Sequence, residues 1–218
     1  MKIIILLSLI THFAFAQKST SCSCPTNTMA GTIKGEKPKE SFHFTTGEEI
    51  ILCGYTEEQS GKTTYSEFIL QECGKNEAIN FWGAIFTGLV DFKNDVISIK
   101  EIKNLPTGPE RSFISTFWST ETFRYDNNKL VRKHKINQDI RKYTKAEIEK
   151  TLKEFEAGKN NYAGDAEEVM YRLFIAALSG NSKAKQYFSE FGTFALLDGA
   201  LKEDYQDLTA MLQQWQQF

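Results

Sequence analysis

Residues 129–155 read KLVRKHKINQDIRKYTKAEIEKTLKEF, and one change of period inside them decides the fold. Leu130 to Lys135 is the second arm of a hairpin whose first arm is Ser112 to Tyr125. The turn between them, Asp126-Asn127-Asn128-Lys129, suits a tight reversal because asparagine tolerates positive φ. Past Lys142 the spacing becomes helical. Thr144-Lys145-Ala146-Glu147 is a capping box, and Ile148, Leu152 and Phe155 then recur on one face of a 3.6-residue period.

Upstream of this junction, from about Met29, the chain is rich in Thr, Ile, Phe and Tyr in short apolar runs broken by turn residues. Ser41 to Phe44 and Glu49 to Tyr55 flank Thr45-Thr46-Gly47-Glu48 and predict a hairpin. Thr64 to Glu72 is the next strand, and Phe81 to Asp91 contains one or two more. Val96 to Ile102 alternates Ile97 and Ile99 with Ser98 and Lys100, as a half-buried strand does. Asn104 to Pro109 holds two prolines and a glycine and predicts a loop. Downstream, helices are predicted to start near Asp165 and at Ser182, and Phe194 to Phe218 to form a last helix with a break near Asp198-Gly199. The expected fold class is α+β. An antiparallel β-rich domain over 29–142, a sandwich or a curved sheet closing towards a half-open barrel, precedes a small helical bundle over 143–218.

The first sixteen residues stand apart from this pattern. Met1-Lys2 precedes the apolar run Ile3 to Ile10, and Phe13-Ala14-Phe15-Ala16 places small residues before a cut at Gln17, the layout of a secretory signal peptide. A membrane anchor needs about 20 apolar residues, more than this run offers. Lipidation at Cys22 is disfavoured because the preceding residues 17–21 are polar. Residues 17–28 form an N-terminal arm, and the processed chain is expected in the periplasm or outside the cell with no transmembrane anchor. Removing sixteen residues from 218 leaves 202, and losing Lys2 moves the formal charge from −2 to −3.

Export sets the reading of the cysteines. Cys22, Cys24, Cys53 and Cys73 all follow the expected cut, and an even count in an oxidising compartment points to disulfides with three possible pairings. A bridge between Cys22 and Cys24 would be strained. The hairpin containing Cys53 and Cys73 either brings those two together or presents both to the N-terminal arm. No paired C-x-x-C knuckle supports a metal, and no metal or cofactor is expected.

With 41% hydrophobic and 25% charged residues the composition is that of a foldable globular chain. Its 26 basic and 28 acidic residues give no general basic field for nucleic acid, so no nucleic-acid partner is expected. The chain lacks a G-x-S-x-G elbow, an H-E-x-x-H pair, a phosphate loop and a G-x-G-x-x-G turn. His43 lies between Phe42 and Phe44 on the opposite face of its strand, and His134 sits in a basic run; neither has a nucleophile or acid beside it in sequence, so no catalytic residue is assigned.

Two features rise above this background. The junction Lys129 to Lys145 holds seven basic residues against Asp139 alone, and its Lys129, Arg132, Lys133, Lys135, Arg141 and Lys142 form a candidate patch for an anionic partner. Against that, a basic junction can simply neutralise the acidic helices that follow. Phe113, Phe117 and Trp118, interspersed with Ser and Thr, form a candidate aromatic platform, although a strand apolar on both faces is commonly covered on both. The sequence therefore predicts an exported, non-enzymatic protein that binds a protein or glycan partner. The alternatives are an exported hydrolase whose carboxylates come from distant strands, and an envelope assembly or inhibitor protein.

Overall fold

The computed structural model describes residues 22–25, 37–59, 61–75, 77–83, 85–158 and 166–217. The expected signal peptide, its cut before Gln17 and most of the arm lie outside those residues. Eight strands come first: β1 Glu40–His43, β2 Glu49–Gln59, β3 Lys62–Glu72, β4 Ala78–Trp82, β5 Gly88–Lys93, β6 Val96–Leu105, β7 Ile114–Asp126 and β8 Lys129–Ile136. Four helices follow: α1 Lys145–Gly158, α2 Ala166–Leu178, α3 Ser182–Ser189 and α4 Gly199–Trp215. The β region is one antiparallel sheet in the order β1-β2-β3-β5-β6-β7-β8, with β4 on β3 beside β5. Of the two expected β architectures the curved sheet is the one formed.

Tight turns and close approaches explain the path. Asn94 and Asp95, then Asn127 and Asn128, adopt positive φ of 49–60° and reverse the chain in two residues each. At the bulge between β2 and β3, Glu67 is the extra residue and Gly54 lies against Phe68 so closely that a Cβ would sit 2.3 Å from the Phe68 Cβ. Only glycine fits there. Curvature brings the first hairpin over the later strands: Phe44 meets Phe92 and Tyr125 at 5.1 and 5.0 Å between ring centres. The resulting concave core holds Phe42, Ile50, Leu52, Phe68, Leu70, Ile97, Ile99 and Phe123. β6 runs to Leu105, beyond the expected loop start at Asn104, and stops where Pro106 removes the next ladder donor.

The helices bury a second core against the far end of β6 to β8, where Leu105, Trp118 and Ile136 meet Phe155, Leu173, Phe174, Phe188, Leu208 and Met211. The capping box forms: Thr144 N–H donates to Glu147 at 2.8 Å and Glu147 N–H to Thr144 Oγ1 at 3.3 Å. Gly180, at φ +89°, ends α2, and the Asn181 side chain accepts from Ala184 N–H to start α3. Arg111, 2% exposed, clamps the loop before β7 to α1 by donating to Thr151 and, through both terminal nitrogens, to Glu154.

A third, small core lies on the convex side of β2 and β3. Cys24 and Cys53 form one disulfide there among Ile51 and Ile69, and Cys22 and Cys73 form the other. Register chooses these pairs over Cys53–Cys73. Cys53 opposes Ile69, whereas Cys73 donates its N–H to the Glu49 carbonyl, so the two are four residues out of step. That offset is about 13 Å along the strands, beyond the reach of a disulfide.

Candidate functional site

Residues on β6, β7 and β8 that share the concave face line up in cross-strand rows. Glu101 opposes Ser119, which opposes Ile136; Ile99 opposes Glu121, which opposes His134; Ile97 opposes Phe123, which opposes Arg132. Where this wall faces Asn80, Phe81 and Trp82 of β4 it encloses a pocket of about 300 Å³. Its floor is apolar, continuous with the concave core, while its wall carries two carboxylates, a guanidinium and an imidazole.

Glu121 is 9% exposed, and its Oε1 accepts from Arg132 at 2.5 Å. Its Oε2 is buried with no hydrogen-bond partner among the described residues. A carboxylate oxygen held in that state is shielded from solvent at a cost in desolvation. Glu101 accepts from Ser119 at 2.8 Å and pairs with Lys103 at 3.3 Å. Lys103 continues to Asp207 of α4 at 2.7 Å, so the pocket wall is tied to the helices. Burial would lower the Lys103 pKa, but its hydrogen bonds to Asp207 and Glu101 hold the ammonium above the usual lysine range. Acceptors at Glu121, Glu101 and the Ser119 oxygen, a donor at Arg132, and aromatic edges at Phe81 and Trp82 suit a ligand rich in hydroxyl groups.

The structure redistributes the residues singled out from sequence. Arg132 turns into the pocket, while Lys133 and Lys135 point to the convex face, because neighbours on a strand alternate. Arg141 pairs with Glu147 at 2.6 Å, Lys142 lies 6.0 Å over Trp215, and Lys129 sits at the exposed hairpin turn. The six do not form one patch. Nor do the three aromatics form one platform. Phe113 packs edge-on against Tyr171 and Phe117 is 44% exposed, but Trp118 is 1% exposed inside the helical core. Alternation along the strand parts Phe117 from Trp118, and a bulge sets the sides: Glu101 pairs with Ser119 and Ile102 with Phe117, so Trp118 is the extra residue and points to the same side as Ser119.

His43 is solvent-facing, 3.9 Å from Glu49. Cys22, Cys73 and Glu49 place their ligand atoms within 4.8 Å of one another, but the sulfurs are bonded together and offer no thiolate. Glu101, Glu121 and Asn80 were not singled out from the sequence. Their signal was one of phase: Glu101 keeps step with Ile97 and Ile99, and Glu121 with Phe123, so each is a charged residue on an inward face. Comparison of the chain with protein-family models, curated proteins and solved structures finds no match.

Proposed function

We propose that this is an exported binding protein that holds a sugar unit of a glycan in the concave pocket. The observation that carries the proposal is the mixed lining of the pocket, where the side chains of Glu101, Glu121, Arg132 and Ser119 stand beside Phe81 and Trp82. A sugar hydroxyl donating to the Glu121 carboxylate would make a hydrogen bond to a charged acceptor, worth about ten- to hundredfold in affinity. Export is supported by the leader-like residues 1–16 and by two disulfides, and no helix among the described residues is long and apolar enough to cross a membrane. Binding without turnover is the reading supported by the engagement of both carboxylates, Glu121 with Arg132 and Glu101 with Ser119 and Lys103.

The test is calorimetric titration with a panel of neutral oligosaccharides. Glu121→Gln should weaken the best ligand about ten- to hundredfold with little change in melting temperature. Equal affinity in wild type and variant for every ligand bound would remove the pocket from the account. A second reading has its own support, since Glu101 and Glu121 share one pocket as hydrolytic carboxylates do. Shortened oligosaccharides produced by wild type, and lost in both Glu101→Gln and Glu121→Gln, would replace binding with hydrolysis. Export is checked by the intact mass of secreted protein, which should begin at Gln17; a retained Met1 would defeat it.

A further inference from the structure

The convex face of β6, β7 and β8 has a chemistry that the pocket does not use. Register places Lys100, Thr120 and Lys135 in one cross-strand row and Asp91, Ser98, Thr122 and Lys133 in the next, with Arg124 one row further beside Val131. All four cations are exposed, and none forms an ion pair with a described residue. Lys100 lies 5.7 Å over the ring of Phe117, which is itself 44% exposed at the end of the same face. Two of these cations, Lys100 and Arg124, are far in sequence from Lys133 and Lys135 or separated from them by a turn. The sheet, not the linear basic run, makes the surface.

We propose that this face binds an anionic polysaccharide, one bearing carboxylate or sulfate groups along its length. Neighbouring strands are about 4.8 Å apart and successive residues on one face about 7 Å, so the cationic side chains rise from a regular two-dimensional array of backbone positions. Between them stand the hydroxyls of Ser98, Thr120 and Thr122, which can donate to and accept from sugar oxygens. Phe117 adds a ring against which a sugar face can stack. Cations interleaved with hydroxyls and one aromatic match an acidic sugar chain at each of its three kinds of group. Charged rows on a β surface are also long-ranged, so attraction would fall with salt as the Debye length shortens from about 8 Å at 0.15 M to about 3 Å at 1 M. The proposal shares with the pocket reading only the export of the chain.

The experiment measures retention of the oxidised protein on immobilised heparin and its titration with polygalacturonate, with neutral dextran and phosphatidylglycerol vesicles as comparators. Wild type should bind both acidic polymers at about 0.15 M salt and release them near 1 M. Combining Lys100→Gln, Lys133→Gln and Lys135→Gln should weaken binding at least about tenfold. Combining Lys145→Gln, Lys150→Gln and Lys153→Gln, which removes the same charge from α1, should change it less than about threefold. Phe117→Ala should lower affinity without altering the salt dependence. Equal loss in the two triple variants would reduce the effect to net charge and overturn the site. So would absence of binding to either polymer, or tighter binding to the vesicles than to the polymers. Glu121→Gln should leave polymer binding unchanged, so failure here and failure of the pocket are read separately.

Discussion

The two disulfides make a quantitative prediction, because their loops are nested. Cys24–Cys53 closes 29 residues and Cys22–Cys73 closes 51. In the chain-entropy treatment these loops taken singly are worth about 3.6 and 4.1 kcal/mol, which makes the outer bridge the more valuable. Nesting lowers both values and leaves their order unchanged. Once Cys24–Cys53 exists, the outer bridge closes a circuit of only about 22 residues, and removing it should cost about 3.4 kcal/mol. Removing the inner bridge with the outer one retained costs about 2.9 kcal/mol in loop entropy by the same treatment. Its sulfurs are also buried, Cys24 at 2% and Cys53 at 0% exposure, packed with Ile51 and Ile69, whereas Cys22 and Cys73 are half-buried. Emptying that small core should add about 1–2 kcal/mol. Cys24→Ala with Cys53→Ala should therefore be less stable than Cys22→Ala with Cys73→Ala by about 1 kcal/mol. Guanidinium unfolding of the two double variants, compared at equal m, measures the difference. A less stable outer-bridge variant would refute the contribution assigned to the buried inner bridge, and a Cys53–Cys73 cross-linked peptide in a non-reducing digest would refute the pairing itself.

Three further outcomes follow from burial and charge. Trp118→Ala should cost about 3–5 kcal/mol and Phe117→Ala under about 0.5 kcal/mol in thermal melts, since Trp118 is buried and Phe117 exposed; similar costs would refute this assignment of faces. The Arg111 hydrogen bonds hold the Glu154 carboxyl below its ordinary 4.5, so its contribution is present above that value and lost as pH falls through the lower folded one. Glu154→Gln should be destabilised at neutral pH yet lose less stability on acidification, and parallel acid limbs in wild type and variant would contradict this. Burial, then the charge of Asp207, raises the Asp204 carboxyl above its ordinary 3.8, so stability present below that value is lost as pH rises through the raised one. Asp204→Asn should melt higher than wild type at neutral pH and not at pH near 3; no gain at neutral pH would dispose of the strained carboxylate.

By itself the sequence determined what depends on neighbours a few residues apart. The capping box at Thr144, the Asn127-Asn128 turn and the exchange of a 2.0 for a 3.6 period after Lys142 are local, and each appears in the structure where it was expected. Local alternation also turned His43 away from Phe42 and Phe44. Tertiary structure decided whatever depended on register between strands. One extra residue at Trp118 moved it from an expected platform into the helical core, because a one-residue slip exchanges the faces of a strand. Register likewise separated Cys53 from Cys73, sent Arg132 to the pocket and Lys133 to the convex face, and set Lys100 beside Lys135 across β7. The pocket depends on curvature, which carries β4 over the wall formed by Glu101 and Glu121. Curvature and register are set by the packing of side chains distant in sequence, so no window of neighbouring residues contains them.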